Sequence, residues 1–346
     1  MASACSASVR CFHTNAPTSI RLRASSESPG TTRQSASTGP LLHRSFRGRT
    51  RPTPGSRTSR PKSYRAMSDI LVIGADGMLG RCWSELLESR GIDHRATMLE
   101  ELDIRDRDAL NRFVTPGTSW VVNCAAYTLV DAAEEHEALA NEVNGHAVGA
   151  MAEQCKHVGA KLLHYSTDYV FDGTARVPYP TDHPRNPVNA YGRSKAIAEE
   201  LIERSGVEHL LVRSSWLYAP WAKNFVLTIR ELAKSRSSLR VVDDQRGRPT
   251  DSRRLAEVSL DLAQQGSRGV FHVTDGGECS WFELAALIAH IVNPDCRVEP
   301  CTSEEFPRPA PRPAYSVLDI SATERVVGPL VPWEARVRDV LGRPEP

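Results

Sequence analysis

Two residues in the stretch AYGRSKAIAEE, Tyr191 and Lys195, have the types and the spacing to move a proton. Four residues on a helix make about one turn, so the two side chains share a face. A fixed ammonium beside a phenol favours the phenolate, which predicts a lowered tyrosine pKa and a proton donor usable near neutral pH. On spacing alone an exposed helix pair is the simpler reading, and the surrounding chain has to decide. Upstream, HYSTDYVFDG sets Ser166, Thr167 and Asp168 at the end of an apolar run, with Thr167 24 residues before Tyr191. Such residues can form a turn and cap cluster by bonding their own backbone. At the carboxyl end of a parallel strand they would instead point into a ligand crevice. The third feature is GADGMLG, with Gly74, Gly77 and Gly80 three residues apart. After a strand and before a helix, glycines at this spacing allow a tight turn, close backbone approach to a pyrophosphate and close helix–strand packing. The phosphates would sit on the free N–H groups of the helix N-terminus.

These residues need strand–loop–helix units to hold them, and the hydrophobic pattern supplies such units. DILVIG is a short β-rich run ending in Gly74, and Met78 to Ser89 carries Leu79, Cys82, Trp83, Leu86 and Leu87 on one helical face. SWVVNCAAYT, AKLLHYSTDYVF and EHLLVRSSWLY read as further buried strands. Between the first two of these runs one long helical stretch, DAAEEHEALANEVNGHAVGAMAEQCKHVG. AYGRSKAIAEELIERSG is a helix with Gly206 as its C-cap. Apolar strands alternating with helices predict an α/β protein with a Rossmann-type, doubly wound parallel sheet. Beyond Leu217 the pattern loosens into short strands (LRVVDD, GVFHVT), the helix SWFELAALIAHIV and the Pro-rich FPRPAPRPAYS. The expected division is a nucleotide-binding domain over 67–216 and a smaller C-terminal α/β substrate-binding subdomain over 217–346, interleaved with the last sheet strands.

Composition narrows the function classes. Hydrophobic residues make up 40% of the 346 and charged residues 25%, ordinary for a soluble globular chain. No run approaches the length of a membrane span. The formal net charge of +1 hides an asymmetry. Residues 1–66 hold twelve Lys and Arg against Glu27 alone, which leaves 31 basic and 41 acidic residues beyond them. An acidic body argues against nucleic acid as the main partner. The first 66 residues, rich in Ser, Thr, Arg and Pro, are expected to be disordered. Two readings of them stand: an organelle transit peptide, or sequence upstream of a true start at Met67. The expected location is accordingly the cytoplasm, or an organelle if the leader is genuine. The eight cysteines show no metal-ligand spacing, which predicts free thiols and no structural zinc.

Several residues have two readings. Glu134, Glu135 and Glu137 could bind a divalent ion at an oligomer interface, but a solvated helix face is the expectation. His136 and His164 read as ordinary surface and packed histidines. Trp281 and Phe282 read as core at a helix start capped by Ser280. For the cofactor, a ribose-binding acid is expected about 20 residues past the glycine turn. Glu100, Glu101 and Asp103 are the candidates, and Arg95 lies close enough in sequence to meet a 2′-phosphate; NADPH is the expected cofactor, NADH the alternative.

A glycine turn, a hydroxyl at a strand end and Tyr-x-x-x-Lys, in that order, resemble the short-chain dehydrogenase/reductases. VVNCAAYTLVDAAEEHEALANEVN, HYSTDYVFDG, NAYGRSKAIAEE, VRSSWLYA, DDQRGRPT, GVFHVTDGGECSWFELA and RPAYSVLD together resemble the dTDP-4-dehydrorhamnose reductases, an extended branch of that family, over Asp69 to Gly342. The resemblance implies reduction of the C4 ketone of dTDP-4-dehydro-6-deoxy-L-mannose to dTDP-L-rhamnose. It implies that Tyr191 donates the proton, that Lys195 holds the nicotinamide ribose and tunes Tyr191, and that Thr167 hydrogen-bonds the reacting oxygen. Asp168 and Trp216 would touch the substrate, with Asn224, Gln245 and Arg312 toward its nucleotide end. Gly74, Gly77, Met78, Leu79 and Gly80 would hold the pyrophosphate, Asp103 and Ile104 the adenine side, and Ala125, Ala126, Tyr127 and Tyr165 the rest of the cofactor. The implied partner is a dTDP-sugar, and the chain a monomer or homodimer without membrane or nucleic-acid ligands. A reductase or epimerase for another nucleotide sugar, and a non-catalytic partner resembling the regulatory subunit of methionine adenosyltransferase, are the rival readings.

Overall fold

Ile70–Ile73 (β1), the sequence ILVI, is buried at all four positions, so it can only be an inner strand with both faces covered. The structure, a computed structural model, describes residues 69–342; the expectations for residues 1–66 lie outside the described residues. Around β1 stand His94–Thr97 (β2), Trp120–Asn123 (β3), Lys161–Thr167 (β4), His209–Ser214 (β5) and Gly269–His272 (β6). Among the described residues these six strands form one sheet in the order β6-β5-β4-β3-β1-β2. Every pairing in it is parallel. β2 lies on one side of β1 and all later strands on the other, so the chain changes its direction of travel between β1 and β3. A crevice opens at the carboxyl ends of the strands at such a point.

Alternate strand residues feed opposite layers. Ile70, Val72, Val122, Leu163 and Val212 form one apolar cluster with Trp83 and Leu87 of helix α1 (Met78–Ser89). Leu255, Val258 and Leu262, from the helix Ser252–Gln264, complete it. The opposite layer contains helices α2 (Ala147–Val158) and α3 (Ala190–Ser205), which pack on each other and on β4. A second cluster joins α4 (Phe225–Ser235) and α6 (Trp281–Val292) through Phe225, Ile229, Trp281, Leu284 and Ile288; α5 (Ser252–Gln264) lies between them in sequence. α6 starts with a capping box: Ser280 accepts from the Glu283 N–H at 3.1 Å while Glu283 accepts from the Ser280 N–H at 2.7 Å. The six cysteines of the described residues are free thiols. Among the described residues no helix is long and apolar enough to cross a membrane.

The long helix expected between β3 and β4 is interrupted. It breaks at His136 and then winds one π turn over Glu142–His146 before α2 begins. The cause is Asn144, whose buried amide accepts from the Tyr127 N–H at 2.7 Å and donates to the Tyr127 carbonyl at 2.9 Å and Ser194 at 3.0 Å. A side chain serving a neighbouring loop on both sides dictates its own placement, and the extra backbone residue of a π turn provides it.

Candidate active site

The start of α3 is fixed from three directions. Asn189 caps it, its side chain accepting from the Gly192 N–H at 2.7 Å. Glu134 accepts from the Ala190 N–H at 2.8 Å, a carboxylate placed where the helix dipole favours it. Glu137 holds Arg193 at 2.6 Å. Glu134 and Glu137 are therefore not a merely solvated face: they anchor the turn that carries Tyr191. Gly206 closes the helix in the left-handed conformation, as expected.

On β4, Thr167 satisfies both of its sequence readings. Its hydroxyl accepts from the Tyr169 N–H at 3.2 Å, a local cap, and donates to Asp168 at 3.0 Å, while the same residue lines the cleft. The Thr167 hydroxyl also lies within hydrogen-bonding reach of Tyr191. Burial pushes the Asp168 carboxyl up to about 7, against the opposing pull of bonds from Ser316 and Thr167. Burial, with the neighbouring Asp168 and Tyr169, also raises the Tyr191 phenol. The expectation of a lowered phenol pKa is thus corrected. Lys195 does not set it; its Nζ lies 3.1 Å from His164 Nε2, and burial lowers the lysine to about 8. A raised pKa keeps Tyr191 protonated, the state from which a proton donor must begin.

The glycine turn is shaped for close approach. A Cβ on Gly80 would stand 2.0 Å from the Gly74 carbonyl oxygen, so α1 can pack onto β1 only with glycine there. Gly77 caps α1 with no side-chain bond and no acidic residue follows in the first turn, leaving the helix N-terminus bare. This is the arrangement a pyrophosphate fits. Gly77, Met78 and Leu79 border the same cleft of about 240 Å³ as Ala126, Tyr165, Thr167, Asp168, Tyr191, Lys195 and Trp216. Trp216 adopts φ 49°, a left-handed conformation strained for a bulky residue, and stacks on Trp281 with centroids 3.6 Å apart. Trp281 is buried, as expected of core, but it also forms a cleft wall. Gly247 of the DDQRGRPT run lies under the Trp216 indole, where a Cβ would approach to 2.6 Å.

Residues 67–345 match the model of the RmlD substrate binding domain family. The chain belongs to that family. It is 37% identical to a dTDP-4-dehydrorhamnose reductase of Mycolicibacterium smegmatis over 85% of this chain and 91% of the relative. It is 38% identical to a dTDP-4-keto-6-deoxy-D-glucose reductase of Streptomyces niveus over 76% and 93%. A Bacillus anthracis dTDP-4-dehydrorhamnose reductase crystallised in complex with NADP superposes with a TM-score of 0.76 at 34% identity, covering 79% of this chain and 98% of that one.

Other residues expected at the site of this RmlD-family chain are engaged within the fold. Asn224 caps α4: its amide oxygen accepts from the Leu227 N–H and its NH₂ donates to the Ala219, Trp221 and Ala222 carbonyls. Gln245 is buried with its Nε2 on Ser303 at 2.8 Å. Arg312 is held by Asp131 at 2.5 Å, its side chain 3% exposed, and its buried Nε and Nη2 have no hydrogen-bond partner within the fold. Asp103 is clamped by Arg105, which holds its carboxyl below the usual range. Ile104 and Tyr127 are buried. Arg95 cannot meet a 2′-phosphate. Its guanidinium binds Asp69, the Phe113 carbonyl and Thr118, groups that precede β1 and β3 at the opposite end of the sheet.

Two buried residues of the site escape sequence reasoning. Asn144 bridges the Tyr127 loop and the residue before Lys195; the only hint was an Asn-Gly pair inside a helical pattern. His164, expected to be an ordinary packed histidine, is packed but bonded to Lys195.

Gly80→Ala is expected to cost about 1–3 kcal/mol of stability by overpacking. It should weaken cofactor binding by at least about tenfold, equivalent to ~1.4 kcal/mol, because the turn must open. Thermal unfolding and a fluorescence titration with NADPH measure the two effects.

Proposed function

We propose that this chain reduces the C4 ketone of dTDP-4-dehydro-6-deoxy-L-mannose to dTDP-L-rhamnose with NADPH. The observation that carries the reading is the convergence of Thr167, Tyr191 and Lys195 on one cleft with an uncapped glycine turn, in a chain of this family. When bound, the nicotinamide supplies the hydride. Tyr191 gives its proton to the oxygen on which negative charge develops. Thr167 donates a hydrogen bond to the same oxygen, the geometry that stabilises an oxyanion. Lys195 fixes the nicotinamide ribose, and Gly77, Met78 and Leu79 hold the pyrophosphate. Asp168 and Trp216 contact the sugar. The segment from Leu217 onward covers it, consistent with Phe225, Val226, Trp281 and Leu284 lining the same cleft.

NADPH is supported by the Bacillus anthracis relative, crystallised in complex with NADP. At the end of β2 the Glu101 carboxylate accepts from the Met98 N–H at 3.0 Å, which engages it within the turn.

The name of the Streptomyces niveus relative favours one second reading, in which the ketosugar is of the D-glucose series. NADPH consumption with a panel of dTDP- and UDP-4-ketosugars separates the two. The expected result is the highest kcat/KM with dTDP-4-dehydro-6-deoxy-L-mannose. A higher value with the D-glucose compound would transfer the assignment, and no turnover with any nucleotide sugar would overturn it.

A further inference from the structure

The Thr167 hydroxyl has more neighbours than it can serve at once. A threonine hydroxyl carries one hydrogen and two acceptor lone pairs. The Tyr169 N–H donates to it at 3.2 Å and occupies one lone pair. Asp168 Oδ1 lies 3.0 Å away, and the Tyr191 phenol is within reach. Thr167, Asp168, Tyr169 and Tyr191 all border the cleft, and Asp168 is 2% exposed. Its Oδ2 is buried with no hydrogen-bond partner within the fold. Ser316 comes near enough to act on the carboxyl, but its one hydrogen goes to the Arg246 carbonyl at 3.4 Å.

The contact between Thr167 and Asp168 runs in opposite directions for the two charge states of the carboxyl. A carboxylate can only accept. It takes the Thr167 hydrogen, which leaves Thr167 nothing to donate to a substrate oxygen. It also leaves the second Thr167 lone pair open to the Tyr191 O–H, so both donors are turned away from the carbonyl to be reduced. A protonated carboxyl donates instead. Its hydrogen fills the second lone pair, the Thr167 hydrogen is released toward the cleft, and Tyr191 finds no acceptor on Thr167. The substrate oxygen then receives both hydrogens. The neutral acid also places no negative charge beside the oxygen on which negative charge develops.

We propose that Asp168 is a positioning residue that stays protonated during the reaction and donates to Thr167, so that Thr167 and Tyr191 both turn their hydrogens to the substrate oxygen. This rests on reading the cleft as a reductase site. Asp168 keeps its own proton; the one consumed comes from Tyr191. Burial acts in the same direction, raising the carboxyl to about 7. The titratable groups around it do not oppose this. Tyr169, next in the chain, and Tyr191, from α3, are both raised by burial and neutral. Arg312, four residues before Ser316, acts on Tyr169 and is paired with Asp131 at 2.5 Å. Lys195, one turn past Tyr191, meets His164 at 3.1 Å. The groups that favour the Asp168 carboxylate are the Ser316 and Thr167 hydroxyls and the local backbone, and burial outweighs them.

Infrared difference spectra of the NADPH complex, wild type against Asp168→Asn, isolate the Asp168 carbonyl without turnover. The band of a protonated carboxyl is expected below the Asp168 ionisation, near 7, and should vanish above it, because a raised pKa leaves the acid present below that value and lost above it. At saturating NADPH the wild-type kcat/KM should begin to fall near pH 7, by about tenfold per unit. Asp168→Asn has no such proton to lose. Whatever it costs in affinity for the sugar, its fall should begin only near 8, where Lys195 ionises. A merely structural role would change stability or KM and leave the limb in place. Thr167→Val separates action through the hydroxyl from a direct effect of the carboxylate charge on the substrate. Its single-turnover rates, though low, should no longer follow the carboxyl titration read by infrared. Absence of the protonated band below the ionisation overturns the proposal. So does an unmoved limb in Asp168→Asn, or a Thr167→Val rate that still tracks the carboxyl. Should Thr167→Val not fold, the other two measurements decide. If no nucleotide sugar is turned over, the reductase reading fails while the infrared band still judges the state of Asp168.

Discussion

Tyr191→Phe should fold, bind NADPH with near wild-type affinity and lose about 10²–10⁴-fold in kcat, the usual worth of a positioned general acid. The substitution removes one hydroxyl and little else. The ring keeps its edge-to-face contact with Tyr169, whose centroid lies 6.1 Å away. The helix start that carries it is held by Asn189 and Glu134, neither of which uses the phenol. What disappears is the phenolic proton that α3 presents beside Thr167. Thr167 retains its bonds to Asp168 and Tyr169, so the residual rate reports hydride transfer with an oxyanion stabilised by Thr167 alone. Single-turnover kinetics on the variant, together with its circular dichroism and an NADPH titration, separate chemistry from folding and binding. Near-normal turnover would remove Tyr191 from the mechanism.

The largest effect on stability is expected at Arg213, behind the site. Arg213 and Glu199 are 2% and 0% exposed and joined by two bonds, Nε at 2.9 Å and Nη2 at 2.6 Å. Burial alone would raise the Glu199 carboxyl; Arg213, Ser166 and Arg185 outweigh it and hold it below its ordinary value. Ser166 donates to Glu199 at 2.5 Å and directly precedes Thr167, and Glu199 lies one turn beyond Lys195. The pair thus ties β5 and β4 to the helix carrying the lysine. Arg213→Met leaves a carboxylate buried with only Ser166 and the partly buried neighbour Arg185, and should cost about 3–5 kcal/mol. Pairing it with Glu199→Gln should recover part of that loss, since no charge is then stranded. Urea unfolding of the two single variants and the double measures the coupling. Additive losses would mean that the ion pair does not act as a unit.

What the sequence made legible follows the strength of its periodic signals. The helix Met78–Ser89 was readable to the residue, because Leu79, Cys82, Trp83 and Leu87 stack on one face and all are buried. β1, β3, β4 and β5 were readable because strands covered on both sides are apolar throughout. β2 was not. HRAT is an edge strand with Arg95 and Ala96 exposed, so it carries no apolar run. Without β2, Arg95 has no direction in the sequence; in the fold its guanidinium turns to Asp69 and Thr118. The site divides in the same way. Tyr191, Lys195, Thr167 and the glycine turn each sit at a defined offset from a periodic element. Asn224, Gln245 and Arg312 do not, and in the fold their side chains meet a helix start, a hydroxyl and a carboxylate. Neither spacing nor composition can tell a buried amide that caps a helix from one that meets a ligand. His164 and Asn144 show the converse: their importance lies in contacts 31 and 50 residues away along the chain.

The central claim is a hydride delivered to the C4 carbonyl carbon of a dTDP-ketosugar held against Tyr191 and Thr167. Its most direct test is one turnover with NADPH deuterated at the transferring position of the nicotinamide and dTDP-4-dehydro-6-deoxy-L-mannose, followed by NMR of the sugar. The expected product is dTDP-L-rhamnose with deuterium at C4. Unlabelled sugar, label at another carbon, or no ketone-dependent consumption of the cofactor would contradict it.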